Sequence, residues 1–188
     1  LSTQYRPDLG EIWIGGIPRS RDPVGIRRLV GVVAHQPMLY EDMTCTENLR
    51  FFGRMHGLDG LAQRIDDVLH EVGLENRRHQ RLRSLSHGMQ KRLSLARAIL
   101  HDPPILLLDE PETGLDQEAL EMLGQMMGVG ERGRRTVLMV THSLERGLAL
   151  GNQVAILSGG RIAFHEDQSN IDEAMFKRTY GQFTGIVP

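Results

Sequence analysis

Residues 105–111 read Ile-Leu-Leu-Leu-Asp-Glu-Pro, and Gly114-Leu115-Asp116 follow shortly after. Four consecutive apolar residues are typical of a strand buried on both faces, inside a parallel sheet with helices on each side. Asp109 and Glu110 come where this strand should end, and in open α/β sheets ligands bind at the carboxyl ends of strands. Charges at the edge of a core are costly unless they are partnered. The stretch therefore predicts an α/β fold whose strand end holds a magnesium ion at Asp109 and an attacking water at Glu110.

Three other segments stand in a definite order around this stretch. Residues 32–37 (Val-Val-Ala-His-Gln-Pro) and 85–93 (Leu-Ser-His-Gly-Met-Gln-Lys-Arg-Leu) precede it, and residues 136–142 (Thr-Val-Leu-Met-Val-Thr-His) follow it. This ordered set resembles the ATP-binding cassette (ABC) family of ATPases over nearly the whole chain. The resemblance places the Q-loop at Gln36, the signature motif at Ser86-His87-Gly88, Walker B at Asp109 and Glu110, the D-loop at Asp116 and the switch histidine at His142.

The resemblance implies a P-loop NTPase (RecA-like) core with a parallel sheet. A helical subdomain is then expected between the Q-loop and Walker B, at about residues 41–100, within a single ABC ATPase domain over residues 1–188. The resemblance also implies ATP and Mg²⁺ as ligands, a dimer of ATPase subunits and a transmembrane partner subunit.

One family element is missing from these residues. The phosphate-binding pattern G-x-x-x-x-G-K-[ST] does not occur in the chain. In cassette ATPases a segment like residues 1–12 closes the helix that starts at this loop. We therefore expect the phosphate-loop region to lie upstream of Leu1 and the chain to be a fragment that binds ATP poorly by itself. The alternative is a natural pseudo-ATPase.

The carboxylates and their neighbours suit ATP hydrolysis, which needs positioning, charge neutralisation and an oriented water. Asp109 suits Mg²⁺, a hard cation that prefers oxygen ligands and keeps several waters. Glu110 follows it directly and is the best candidate for the general base. By family position, Gln36 touches both the metal and the water, and His142 contacts the γ-phosphate.

The signature segment precedes a helix expected at about residues 88–101. Ser86 is placed to cap this helix, whose N–H groups and dipole attract an anion. In cassette dimers this end of the helix grips the γ-phosphate of ATP held by the other subunit, so Ser86, His87, Gly88 and Asp116 are expected at the nucleotide. His87 and Met89 depart from the common L-S-G-G-Q pattern. His87 either adds a titratable donor beside the phosphate or points to solvent.

Composition narrows the classes of protein further. The 188 residues carry a formal net charge of −2, with 24% charged and 40% apolar residues, which gives no case for nucleic-acid binding. The single cysteine, Cys45, cannot form an internal disulfide and fits a reducing compartment. No apolar run approaches the roughly 18 to 20 residues that span a bilayer.

Local patterns predict the remaining elements. Strands are expected at 11–14 and 29–34, joined by a polar connection over residues 17–28. An apolar stripe at helical spacing predicts a helix, and its members are Leu61, Ile65, Val68, Leu69 and Val72. A second helix follows Asp116 and packs through Leu120, Leu123, Met126 and Met127. Strands are expected at 137–141 and 154–157, and Ser158-Gly159-Gly160-Arg161 predicts a tight hairpin.

Three sequence segments, less specific than the motifs above, indicate which kind of ABC transporter the chain resembles. Residues 32–44, 109–117 and 141–147 resemble the ATP-binding subunit of the haem exporter of cytochrome c maturation, which implies a peripheral location on the cytoplasmic face of the inner membrane and no direct haem binding. Other ABC-2-type exporters of drugs, lipids or polysaccharides share many of these phrases. A non-catalytic regulatory module is a further alternative. A soluble ribosome-associated or DNA-repair cassette ATPase is disfavoured, because neither a second cassette nor a long coiled coil is present.

Overall fold

The computed structural model of the chain describes residues 2–3, 5–127 and 135–185. They form two compact units, divided between Val140 and Thr141. Among the described residues, no helix combines the length and the apolar character that a membrane span requires.

The first unit is built on a three-stranded parallel sheet. Its strands are β3 (Val30–Val33), β4 (Ile105–Asp109) and β5 (Thr136–Val140), with β4 in the middle. A short antiparallel hairpin, β1 (Trp13–Ile14) and β2 (Ile17–Pro18), precedes it. The helices of this unit are α1 (Pro23–Leu29), α2 (Cys45–His56), α3 (Leu61–Glu71), α4 (His87–Ile99) and α5 (Gln117–Met126). The α/β class and the parallel sheet predicted from residues 105–111 are confirmed.

The polar connection predicted over residues 17–28 is wrong, because this segment contains β2 and α1. Asp22 caps α1 by accepting a hydrogen bond from the Gly25 N–H at 2.7 Å, and Pro23 opens the helix. Only Ile26 of α1 is fully buried. A seven-residue helix with one buried side chain shows no apolar periodicity, which is why the pattern did not reveal it. The strand predicted at 11–14 begins two residues later, at Trp13, and the strand predicted at 29–34 spans only Val30–Val33.

Both faces of the sheet are covered at β3 and β4, whereas Leu138 and Val140 of β5 are 48% and 55% exposed. Val30, Val32, Ile105 and Leu107 lie on the face that packs against Ile14 of β1 and Ile26 of α1. Helix α4 covers the other face, where Leu106 and Leu108 are 2% and 3% exposed. Gly31 lies on that side, and a side chain there would collide with the Ala98 carbonyl of α4. Strand β4 is therefore covered on both faces as predicted, less completely on the α1 side.

Helices α2, α3 and α4 come between β3 and β4 in the chain and pack on one another. Thr44 and Glu47 form a capping box at the start of α2. On α3, Ile65, Val68 and Leu69 are buried as the stripe predicts, and Val72 is buried just beyond it. These helices fall within residues 41–100. Their status as a separate subdomain, like that of residues 1–188 as one domain, stays a prediction.

The second unit consists of α6 (Leu144–Leu150), β6 (Gln153–Ser158), β7 (Arg161–Asp167) and α7 (Glu173–Thr184). The predicted hairpin is confirmed: β6 and β7 pair in antiparallel fashion. Gly159 and Gly160 occupy its turn with φ of 55° and 75°, a conformation that favours glycine. Helix α7 packs on β6, and the rings of Phe164 and Phe176 lie 5.5 Å apart.

Candidate functional site

The acidic turn, residues 109–112, begins at the carboxyl end of the central strand. Asp109 is the last residue of β4, pairs in register with Val140 and is exposed. Glu110 is partly buried, and its N–H donates to the Val140 carbonyl at 2.9 Å. Its φ is +44°, a left-handed conformation that is strained for a residue with a side chain. The fold thus places both predicted carboxylates at the sheet edge and holds one of them in a strained backbone.

From this turn the chain leads directly into α5. The Thr113 N–H donates to the Glu110 carbonyl at 3.3 Å, and the Thr113 hydroxyl donates to the Glu110 carboxylate at 3.5 Å. Asp116 caps α5 by accepting from the Ala119 N–H at 2.9 Å. That hydrogen bond, together with the nearby Arg92 guanidinium, lowers the pKa of Asp116. Asp116 therefore has a structural task in addition to the nucleotide contact predicted for it.

The signature turn, residues 85–88, starts helix α4. The Ser86 hydroxyl accepts a hydrogen bond from the Met89 N–H at 3.3 Å, so the predicted cap is confirmed. Ser86 and His87 are exposed, and Gly88 is partly buried. The helix begins one residue earlier and ends two residues earlier than the range 88–101 that the sequence pattern indicates.

His87 and Gly88 pack closely against the segment that follows Glu110. A Cβ placed on Gly114, whose φ is +80°, would lie 2.7 Å from Nδ1 of His87. A Cβ on Gly88 would lie 3.0 Å from the Gly114 carbonyl oxygen. The His87 ring therefore rests against the Gly114 backbone while the residue as a whole stays exposed, and two glycines allow the signature turn to approach the D-loop segment.

A cavity of about 270 Å³ lies between these two segments. Arg92 crosses it: the guanidinium is 2.7 Å from the Asp116 carboxylate and 3.4 Å from the Val72 carbonyl oxygen. The cavity is lined by Gly73, Leu74, Ser86, Gly88, Met89, Arg92, Leu115, Asp116 and Glu118. Sequence reasoning missed Arg92, because its partners lie about twenty residues away on either side.

The loop that carries Gln36 leaves β3 and is fixed from α4. The Ser94 hydroxyl donates to the Pro37 carbonyl at 3.2 Å. The Arg97 guanidinium donates to the carbonyls of Val32 at 2.6 Å and Met38 at 3.3 Å. Burial lowers the pKa of Arg97 to about 10. Gln36 is exposed in this otherwise anchored loop.

Asn48 of α2 fixes the continuation of the same loop. Its side chain is fully buried and exchanges two hydrogen bonds with the Tyr40 backbone, at 2.8 and 3.0 Å. Its amide also donates to the carbonyls of Met43 and Thr44. The sequence offered one signal for this residue, an asparagine at a position where the helix faces the core.

An open groove of about 790 Å³ lies on the outer side of α2, next to this loop. The rings of Tyr40 and Phe51 meet edge to face at 5.0 Å, and Met55 is 69% exposed. The groove is lined by Asp42, Met43, Glu47, Arg50, Phe51, Arg54 and Met55. It therefore combines exposed apolar side chains with both signs of charge.

Comparison with known proteins identifies the family of this chain. Residues 1–113 match the family model described as ABC transporter. This chain belongs to the ABC transporter family. The ABC transporter ATP-binding protein NatA of Bacillus subtilis is 30% identical over 167 residues, which are 87% of this chain and 68% of NatA. The Nod factor export ATP-binding protein I of Cupriavidus pinatubonensis is 36% identical over 157 residues, 82% of this chain but 48% of that protein.

A solved structure extends the likeness to the fold. It is a dimeric ATP-binding cassette in a post-hydrolysis state bound to ADP and Pi, with a TM-score of 0.78 and 28% sequence identity. The match covers 87% of this chain and 75% of that one. The fold that the sequence resemblance implies, an ABC ATPase with a P-loop NTPase core, is thus confirmed.

His142, the switch histidine of the ABC resemblance, belongs to the second unit. It lies between β5 and α6, and Ser143 after it caps α6 by accepting from the Arg146 N–H at 3.4 Å. The Ser143 N–H in turn donates to the Thr141 hydroxyl at 2.9 Å. These bonds fix the turn around His142, whose catalytic role stays a prediction.

The donor set for a metal ion is small. Within the part of the chain that the structure describes, no group of three or more His, Cys, Asp or Glu side chains is placed to hold a metal. Magnesium in nucleotide sites is bound through one or two carboxylates, the substrate's phosphates and several waters. Asp109, an exposed carboxylate at a strand end, fits a magnesium site of that kind.

Proposed function

We propose that this chain is part of the ATP-hydrolysing subunit of an export-type ABC transporter, in which Asp109 binds Mg²⁺ and Glu110 is the general base. The observation that carries the proposal is the acidic turn: an exposed Asp109 and a strained Glu110 stand together at the end of the central strand. Backbone strain of this kind clusters at functional sites. Gln36 is assigned to the metal and the attacking water, and His142 is assigned to the γ-phosphate.

The signature turn serves the nucleotide of a second subunit in this proposal. Ser86, His87 and Gly88 stand at the exposed N-terminus of the 13-residue helix α4, where N–H groups and the helix dipole favour an anion. Asp116 lies across the cavity from them. The dimeric state of the solved relative supports a site completed by a second copy.

The membrane partner is assigned to the groove on α2 and to the loop that carries Gln36. Exposed aromatic and methionine side chains beside Arg50 and Arg54 suit an amphipathic segment of a transmembrane subunit. The loop beside the groove is tied to α2 through Asn48 and to α4 through Arg97, so movement at the groove would reach Gln36. The proposal places the subunit peripherally on the cytoplasmic face of the membrane, without nucleic acid as a partner.

The cargo is the least constrained part of the proposal. Haem export rests on the phrases at residues 32–44, 109–117 and 141–147 alone. The likeness to a Nod factor export protein supports another ABC-2-type cargo instead. Cargo selection resides in the transmembrane subunit, and no direct haem binding by this chain is proposed.

Glu110→Gln tests the proposal, in the expressed protein with any residues encoded upstream of Leu1. Loss of a general base should lower the ATP turnover by about 10²-fold or more while ATP binding persists. Phosphate release and nucleotide affinity measure the two effects, with Glu71→Gln on the exposed face of α3 as the matched control. Turnover near wild type in Glu110→Gln removes Glu110 from this role. A wild-type protein that binds ATP without hydrolysing it would favour the non-catalytic regulatory module.

A further inference from the structure

Lys91 is a lysine in an unusual place. The chain contains two lysines, Lys91 and Lys177. Lys91 lies in the second turn of α4 and is only 5% exposed, whereas Lys177 lies on the surface of α7 beside Glu173. Removing an ammonium group from water costs several kcal/mol unless opposite charge compensates it. The surroundings of Lys91 must therefore supply negative charge.

The direction of α4 shows where that charge lies. Ala98, near the end of the helix, contacts Gly31 in the middle of β3, and Ser94 bonds to Pro37 beyond the end of β3. Moving toward the N-terminus of α4 therefore corresponds to moving toward the carboxyl ends of the strands, so the helix runs antiparallel to them. Its N-terminal turns stand over the carboxyl ends of the parallel strands.

The lengths place Lys91 level with the acidic turn. Gly31 pairs with Leu106 in the register of β3 and β4. From Ala98 back to Lys91 the helix rises about 10 Å, at about 1.5 Å per residue. From Leu106 forward to Asp109 the strand advances about 10 Å, at about 3.3 Å per residue. Lys91 therefore lies beside the point where β4 ends.

Lys91 also points inward at this level. It shares one helical face with Ser94, Leu95 and Ala98, all buried, and this is the face turned toward the sheet. Burial is the main influence on the Lys91 ammonium and lowers its pKa, and the carboxylates of Asp109, Glu112 and Glu110 oppose that effect. All three belong to the acidic turn.

We propose that Lys91 is a positioning residue for ATP hydrolysis, whose buried charge holds the carboxylates of the acidic turn in place. The inference rests on the proposed function and adds to it a residue outside the motifs that the sequence resemblance assigns. Three carboxylates within four residues repel one another, and one buried cation at their base offsets that repulsion. Because Lys91 belongs to the signature helix, it also ties the signature turn to the carboxylates of its own chain.

The test compares Lys91→Met, Lys91→Arg and the control Lys177→Met in the expressed protein with any residues encoded upstream of Leu1. Methionine keeps the apolar stem and removes the charge, and such replacements of buried charges are often tolerated by the fold. We expect Lys91→Met to lower kcat by about 10-fold or more with KM for ATP changed less than about 3-fold. Lys91→Arg should recover at least half of the turnover, and Lys177→Met should match wild type. Wild-type kcat in Lys91→Met, or equal losses in Lys91→Met and Lys91→Arg, would overturn the proposal.

A second measurement does not depend on ATPase activity. Melting midpoints are measured for Lys91→Met, Asp109→Asn and the double variant. If Lys91 compensates the acidic turn, the double variant loses less than the sum of the two single losses. Strictly additive losses overturn the inference. Non-additive midpoints in a protein that hydrolyses no ATP would sink the proposed function and leave the contact between Lys91 and the acidic turn standing.

Discussion

The guanidinium of Arg92 lies 2.7 Å from the carboxylate of Asp116, and this pair joins the signature helix to the start of α5. Arg92 is largely buried, with 13% of its side chain exposed, and Asp116 is mostly exposed. Arg92 also reaches the Val72 carbonyl at the end of α3. One side chain therefore connects three helices beside the cavity at the signature turn.

The first prediction concerns this pair. Arg92→Met should lower the free energy of unfolding by about 1–3 kcal/mol, because charge-assisted hydrogen bonds to Asp116 and Val72 are lost. Lysine at this position should recover little, since it lacks the planar fork that reaches both partners. Urea unfolding measures the effect.

On the other side of the pair, Asp116→Asn should destabilise less than Asp116→Ala, because asparagine still caps α5. The reverse order would show that the cap contributes little.

A second prediction concerns the loop held by Asn48. Asn48→Leu should cost about 1–3 kcal/mol, because the Tyr40 N–H loses its partner and the carbonyls of Tyr40, Met43 and Thr44 each lose one of two hydrogen bonds. Urea unfolding tests this, with the exposed Asn76→Ala as the control. A loss equal to that of Asn76→Ala would mean that water replaces the amide.

How much the sequence revealed depends on how far apart the interacting residues are. The β4 strand, the α3 stripe and the cap at Ser86 are local patterns, so they could be predicted. Helix α1 buries a single residue and therefore left no periodic pattern. Arg92 and, in our proposal, Lys91 act through partners in other elements, which become neighbours only when the helices pack. Asn48 bonds to residues just before its own helix, but that loop has no periodic pattern that would reveal the bonds. Sequence reasoning thus located the carboxylates of the proposed site and missed Arg92, which binds Asp116, and Asn48, which fixes the loop at Tyr40.

A third prediction concerns pH. The rings of His56 and His101 stack at 3.9 Å, at the ends of α2 and α4. Burial and the neighbouring His56 lower the pKa of His101 to about 4, and Arg97 adds to this, while a backbone hydrogen bond at Val30 and the charge of Asp102 oppose it more weakly. Burial also lowers the pKa of His56, to which Arg28 and Arg97 contribute. Both imidazoles are thus neutral in the folded protein at pH values where the unfolded chain would be protonated.

The sign of the effect follows from this difference. A folded-state pKa below the unfolded value of about 6.5 means that protonation favours unfolding, so stability is full above pH 6.5 and falls as the pH drops toward 4. With solvent screening, His101 should contribute about 2 kcal/mol over this range. His101→Phe keeps the stacking and should flatten the dependence between pH 6.5 and 4, whereas the exposed His70→Gln should not. Urea midpoints at several pH values measure it, and an unchanged slope in His101→Phe would contradict the assignment.

The last prediction concerns the second subunit. If Ser86 serves the nucleotide held by a partner copy, Ser86→Arg should leave ATP binding to the monomer unchanged and lower ATP-dependent dimerisation and turnover. Mixing tests this directly in the expressed protein, because a Ser86→Arg chain retains Glu110 and a Glu110→Gln chain retains Ser86. A mixed dimer then contains one intact site, made from Glu110 of the first chain and Ser86 of the second. An equal mixture, combined before ATP is added, should recover part of the wild-type rate. The recovery is about a quarter if the chains pair at random, since half of the dimers are then mixed and each has one intact site of two. Each variant alone should stay nearly inactive. Reduced ATP affinity of the Ser86→Arg monomer would instead place Ser86 at the nucleotide of its own chain.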